Sequence, residues 1–314
     1  MHQVRHAVAC RKLVMSAPRT VSLVLGSGGA RGLAHIGVIQ ALVNNGFDIR
    51  SIAGASMGAL VGGIYAAGRL DVFTRWVTAL ERSDVIRLLD FAFDRKGLFK
   101  GEKIINLLRD LIGDRTIEDL PVSFTAVATD LRARKEVWLR RGPLFDAVRA
   151  SISIPTIFTP FDYQDMLLVD GGLVDPIPIA PTLHDHNDLT VAVGLNGTPD
   201  PELNRADAAP ERPFSFYHQR IARYIEALYQ RREQRDPGDL SLIEIASRSM
   251  DMMQNVIARF RLAAYSPDLY IEIPANACAF HEFHRARELI EIGRRKAEEL
   301  LPRSERAGSG PQRR

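Results

Sequence analysis

The sequence predicts an α/β fold, and three observations carry that expectation. An apolar, β-rich run from Val21 to Leu25 stops at Gly26, and apolar residues at helical spacing follow from Leu33 to Val43. The arrangement repeats at once, with Asp48 to Ala53 as a short strand, Gly54 to Ser56 as a turn, and a Gly/Ala-rich helix to about Ala67. Further on, the short apolar strand Met166 to Val169 stops at Asp170, just before Gly171 and Gly172. Successive strand–helix units favour a sheet with helices packed on it.

The remaining elements follow in order. Helical pieces are expected around Phe73 to Leu80, Val85 to Leu89 and Glu102 to Ile112, interrupted near Lys96 and Gly97, as an insertion or cap. Val122 to Thr129, Lys135 to Leu139 and Val191 to Val193 read as strands. Residues 196–213 are rich in Pro, Asp, Glu and Asn and read as an exposed loop or linker. Helices are then expected over Ser215 to Arg232, Leu240 to Leu262 and Glu282 to Leu301, with a turn at Asp236, Pro237 and Gly238 and one more strand at Leu269 to Ile273. Leu242, Ala246, Met250, Met253, Ile257 and Phe260 fall on one helical face. Core packing is the expected role of that stripe, and a lipid-binding face is the alternative.

Composition narrows the class. At 314 residues, 46% hydrophobic and 25% charged, the chain has enough apolar material for a substantial core. A formal net charge of +3 gives no nucleic-acid footprint. All but six of the 41 basic residues are Arg, spread along the chain rather than clustered. Cys10 and Cys278 are the only cysteines, which excludes a disulfide framework and metal-type Cys spacing and fits a reducing cytoplasm. The stretch from Ser51 to Gly68 carries no charge, but Gly54, Gly58, Gly62 and Gly63 among Ala and Ser suit a buried soluble helix better than a membrane span. The apolar run near Leu13 to Met15 is too short for a signal-peptide core, so residues 1–19 are expected to form a disordered extension, with Met15 as an alternative start.

The chemistry is concentrated in three segments. Gly54-Ala55-Ser56-Met57-Gly58 fits G-x-S-x-G between a predicted strand and a predicted helix, the context in which a serine is exposed on a tight turn as a nucleophile. Gly26-Ser27-Gly28-Gly29-Ala30-Arg31-Gly32 follows the first strand and opens the first helix, where backbone N–H groups can hold an oxyanion. It is no dinucleotide fingerprint, because the sixth position from Gly26 is Arg31 and from Gly28 is Leu33, and no Gly-Lys-Ser/Thr follows it. Asp170, at a strand end before two glycines, is the candidate general base, and an aspartate capping an exposed turn is the alternative. His184 and His186 sit in a solvated Asp/Asn-rich stretch, and His35 on the first helix suits packing.

Together and in this order, GSGGARG, GASMG and the DGG at Asp170 resemble the patatin-like phospholipases. Ala150-Ser151-Ile152-Ser153-Ile154-Pro155, with Phe158 and Pro160, resembles the family's segment leading into the aspartate strand, and the stretch from Pro267 to Pro274 resembles its bacterial branch. The similarity covers about residues 20–195. It implies a three-layer α/β/α sandwich; the helical pattern of residues 214–302 adds a mainly helical C-terminal region expected to pack on that catalytic domain, and the polar composition of 303–314 a disordered tail. The resemblance also implies a Ser56–Asp170 dyad without histidine, oxyanion amides from Gly28 and Gly29, and hydrolysis of phospholipid, lysophospholipid or related esters. Gly26, Arg31, Gly32, Gly54, Gly58, Gly171 and Gly172 would support the site. Ser27 departs from the Gly that many members carry, and Arg31 would brace the loop or attract a lipid phosphate.

No cofactor or metal is expected, and the expected partner is the lipid substrate, with at most transient peripheral membrane contact and no nucleic acid. Entry is expected through an apolar groove near Ser56, beneath the helices between Asp71 and Ile112. An acyltransferase or thioesterase would use the same dyad, and a silent adaptor protein would keep only the fold.

Overall fold

The computed structural model describes residues 19–88, 99–203 and 242–301. The expected N-terminal extension, the break near Lys96, the Ser215–Arg232 helix, the Asp236 turn, most of the 196–213 loop and the C-terminal tail lie outside these residues.

The described strands form one mixed eight-stranded sheet. They are β1 (Thr20–Leu25), β2 (Asp48–Ala55), β3 (Ser123–Asp130), β4 (Lys135–Leu139), β5 (Phe161–Tyr163), β6 (Met166–Asp170), β7 (Leu189–Gly197) and β8 (Leu269–Pro274). The hydrogen-bonded order is β5-β6-β3-β2-β1-β7-β8, with β4 also paired to β3. Strands β3, β2, β1, β7 and β8 run parallel, whereas β4 and β6 are antiparallel to β3.

Helices α1 (Ala34–Asn44), α2 (Met57–Ala66), α3 (Leu70–Val77), α4 (Arg82–Arg87), α5 (Glu102–Ile112), α6 (Leu144–Ser151), α7 (Leu242–Tyr265) and α8 (Ala286–Leu300) complete the described elements, with short 3₁₀ turns between them. Alternation along the central strands divides the core between two faces. Leu23 and Leu25 of β1 and Val191 and Val193 of β7 join the main cluster with α1, α2 and α8. Val24 and Ala192, on the opposite face, pack with Ile177 and Ile179 beneath Ala258, Leu262 and Tyr265 of α7. The sheet is therefore buried on both sides, in three layers.

Helices α1 and α8 cross at glycines. A Cβ at Gly37 would lie 1.9 Å from the Ile290 carbonyl oxygen, and one at Gly293 would lie 2.0 Å from that of Ala34. The absence of side chains there lets the two backbones touch.

Helix α7 corrects one expectation. Met253 and Phe260 of the predicted packing stripe are 58% and 72% exposed. Met250 and Ile257 of the stripe are half-buried, the side chains of Leu242 and Ala246 lie outside the described residues, and the side that meets the sheet carries Ala258, Leu262 and Tyr265. Among the described residues, no helix is long and apolar enough to cross a membrane.

Candidate active site

Strand β2 runs through Ala55, so the turn expected over Gly54 to Ser56 narrows to Ser56 alone, which precedes α2. Its φ of 55° and ψ of −122° are a costly conformation for a non-glycine residue, of the kind that clusters at functional sites. The flanking glycines allow the sharp reversal. A Cβ at Gly58 would sit 2.0 Å from the Leu25 carbonyl oxygen, and one at Gly54 would sit 2.4 Å from Gly58. The hydroxyl of Ser151 accepts the Ser56 N–H at 2.9 Å and donates to the Val127 carbonyl at 2.6 Å.

The register of β3 brings Asp170 to this turn. Val127 pairs with Ala55 of β2, and the next residue, Ala128, pairs with Asp170 of β6. Strand β4 lies opposite both residues, since Val127 pairs with Trp138 and Ala128 with Val137. Hence β2 and β6 share one edge of β3, arriving from opposite directions with their carboxyl ends together. Ser56 and Asp170 are the residues at that meeting point, although 113 positions separate them in the sequence.

Asp170 is held at several points. Its N–H donates to the Ser153 carbonyl at 3.0 Å, its own carbonyl accepts from Thr129 Oγ1 at 2.9 Å, and Oδ1 accepts from the Gly172 N–H at 2.7 Å. Oδ2 is buried without a well-aligned donor. Burial pushes the carboxyl up to about 7, against the opposing pull of the Ser56 hydroxyl and the Gly172 N–H. Ser56 and Asp170 are both buried, at 2% and 4% exposure.

The glycine loop follows β1 and runs into a 3₁₀ turn, Gly29–Leu33. Gly26 N–H donates to Val193, Ser27 N–H to Pro176 and Ala30 N–H to Phe280. Gly28 and Gly29 donate to no such carbonyl among the described residues. Ser27 Oγ is buried without a partner and packs against Gly172, next to the aspartate. Gly32 packs against Met57, and Gly171 passes so near the Val127 carbonyl that a Cβ would lie 2.1 Å from it. Arg31 Nη1 donates to the Ala275 carbonyl at 2.8 Å, tying the loop to the end of β8, and burial lowers its pKa.

His35 is fully buried, with Nε2 2.9 Å from the Gly26 carbonyl oxygen, and burial lowers its pKa to about 4. It is therefore a neutral tether of the glycine loop. His184 and His186 are exposed and precede β7, at the opposite end of the parallel strands from Ser56. A cavity of about 380 Å³ lined by Ser51, Thr125, Arg140 and Thr182 also opens at that far end and takes no wall from the serine turn or the glycine loop.

Sequence reasoning missed the individual roles of Ser151, Ser153 and Thr129. The first two fall in Ala150–Pro155, a segment marked only by resemblance, and Thr129 had no signal beyond its strand.

Residues 23–183 match the family model described as patatin-like phospholipase. An uncharacterised NTE family protein of Mycobacterium tuberculosis is 41% identical over an alignment 335 positions long, covering 91% of this chain and 92% of that protein. Neuropathy target esterase sws of Drosophila grimshawi is 36% identical over 166 residues, 51% of this chain and 11% of that protein. The solved structure of VipD from Legionella pneumophila matches with a TM-score of 0.45 and 15% identity, covering 90% of this chain and 67% of that one.

Proposed function

The chain belongs to the patatin-like phospholipase family, and from that premise we propose that it hydrolyses carboxylic esters of phospholipids, lysophospholipids or related lipids through a Ser56–Asp170 dyad. The observation that carries this reading is the end-to-end meeting of β2 and β6 on one edge of β3, with a strained serine beside a buried carboxylate.

Ser56 Oγ attacks the acyl carbon while its proton passes to Asp170. The oxyanion is held by the Gly28 and Gly29 amides, with the N-terminal end of α2 adding a favourable dipole. Collapse breaks the ester C–O bond, and the leaving alkoxide takes the proton back from Asp170. Water then gives its proton to Asp170 and attacks the acyl-enzyme; collapse releases the carboxylic acid and returns the proton to Ser56. A base near pKa 7 suits both transfers at neutral pH.

The test is fluorophosphonate labelling of wild-type, Ser56→Ala and Asp170→Asn protein alongside hydrolysis of a short-chain ester. Loss of labelling in the Ser56 variant and weakened turnover in the Asp170 variant are expected. A folded wild-type protein that neither labels nor hydrolyses would overturn the reading. Products formed in the presence of competing alcohols or lysolipids separate hydrolysis from acyl transfer.

A further inference from the structure

We propose that the short segment Ser151–Ser153 is a bracket that sets the spacing of the dyad, with the Ser151 hydroxyl as a positioning residue for the reaction; this inference rests on the dyad reading above. The segment leaves the carboxyl end of α6 and binds both partners. Ser151 Oγ accepts the Ser56 N–H at 2.9 Å, and two residues later the Ser153 carbonyl accepts the Asp170 N–H at 3.0 Å.

The bracket is also bound to the strand that both partners line. Ser151 donates to the carbonyl of Val127, the residue paired with Ala55, and Asp170 pairs with the adjoining Ala128. The nucleophile turn, the bracket and β3 thus close one hydrogen-bonded ring. The Ser151 hydroxyl makes one bond as acceptor and one as donor there, and the residue is 0% exposed. Because Ser56 occupies a strained conformation, its orientation depends on what holds its backbone.

Arg149 stiffens the bracket from behind. Its guanidinium is buried, donates to Ser153 Oγ at 2.5 Å, and reaches the Lys100 and Thr159 carbonyls. Ser153 Oγ in turn donates to the Arg149 carbonyl at 2.7 Å. The bracket is consequently fixed to α6 and to the segments around Lys100 and Thr159.

Replacing Ser151 with Ala removes the acceptor without adding bulk and leaves Ser56 free to turn. The experiment measures the fluorophosphonate labelling rate constant per titratable site, together with kcat and KM for a short-chain ester, in wild-type, Ser151→Ala and Ser151→Cys protein. The Ala variant is expected to label, and to turn over, about 10- to 100-fold more slowly per site, with KM and the pH midpoint unchanged, since small misplacements of reacting groups carry penalties of that order. The Cys variant, which keeps a weak acceptor, should fall between the two and serves as the comparison if the Ala protein does not fold.

A purely structural role would lower the fraction of labelled sites while leaving the rate per site as in wild type. That result, in whichever variant folds, overturns the proposal while the dyad reading stands. A folded wild-type protein that never labels overturns both.

Discussion

The buried imidazole of His35 lies with Nε2 2.9 Å from the carbonyl oxygen of Gly26, so a helix side chain holds the first residue of the glycine loop. His35→Leu keeps an apolar body but leaves that carbonyl without its donor. We expect a loss of about 1–3 kcal/mol and slower ester hydrolysis. The ring's pKa is about 4 in the folded protein, below the ordinary 6.5, so the native state binds fewer protons than the unfolded chain between these values. Its contribution to stability is complete above 6.5 and falls as pH drops towards 4. Denaturant melts across this window should show that acid limb weakened in the variant.

Hydrolysis should follow the ionisation of Asp170. With its carboxyl near 7, kcat/KM should rise about tenfold per pH unit below that value and level off above it, because the basic form is the carboxylate. Asp170→Asn should lower the plateau by about 10²–10⁴-fold and flatten the profile. A wild-type profile with its midpoint near 4 would place the working base in a more solvated setting than Asp170 occupies.

Gly58→Ala tests the tightness of the nucleophile turn. The new Cβ would meet the Leu25 carbonyl oxygen at 2.0 Å, and that oxygen belongs to a central strand with no room to retreat. A destabilisation of about 3 kcal/mol or more and loss of labelling are expected. Gly62→Ala meets the Ile52 side chain instead, at 2.8 Å, and should be milder by the same thermal melt.

Asp175 should act on stability rather than on turnover. It is 0% exposed, neither oxygen has a well-aligned donor, and its nearest cation is Arg261 Nε at 3.6 Å. Burial pushes its carboxyl up to about 8, Arg261 pulls it down, and Glu136, paired to the same Arg261, pushes it up again. Since the native state holds this proton from about 3.8 to 8 while the unfolded chain releases it, stability falls as pH rises through that interval. Asp175→Asn should match wild type near pH 4 and exceed it at pH 9 by a few kcal/mol, because each tenfold gain in proton affinity on folding corresponds to ~1.4 kcal/mol. Equal pH slopes in the two proteins would remove the carboxylate as the cause.

The parallel core was legible because its signals are local. Apolar runs ending at Gly26 and before Ser56 declared β1 and β2, and Glu102–Ile112 and Lys135–Leu139 were read at their observed limits. The motifs located the serine, the aspartate and the glycine loop for the same reason. Other elements gave no such signal. The β5–β6 hairpin turns through Gln164 and Asp165 at φ of 47° and 64°, without the Asn-Gly or Asp-Gly pair that advertises such a turn. Helix α6 was missed, and with it the bracket to which Ser151 belongs. That β2 and β6 share an edge of β3 depends on pairing register, which no segment encodes alone.

The glycine crossing of α1 and α8 has a consequence for how the chain is made. Synthesis runs from the amino end, so α1 exists long before the helix that covers it. Until then Gly37 presents a strip of bare backbone whose close-fitting cover, at 1.9 Å from a would-be Cβ, is the Ile290 turn. Loss of α8 would therefore be felt first at α1, beside the loop that His35 tethers.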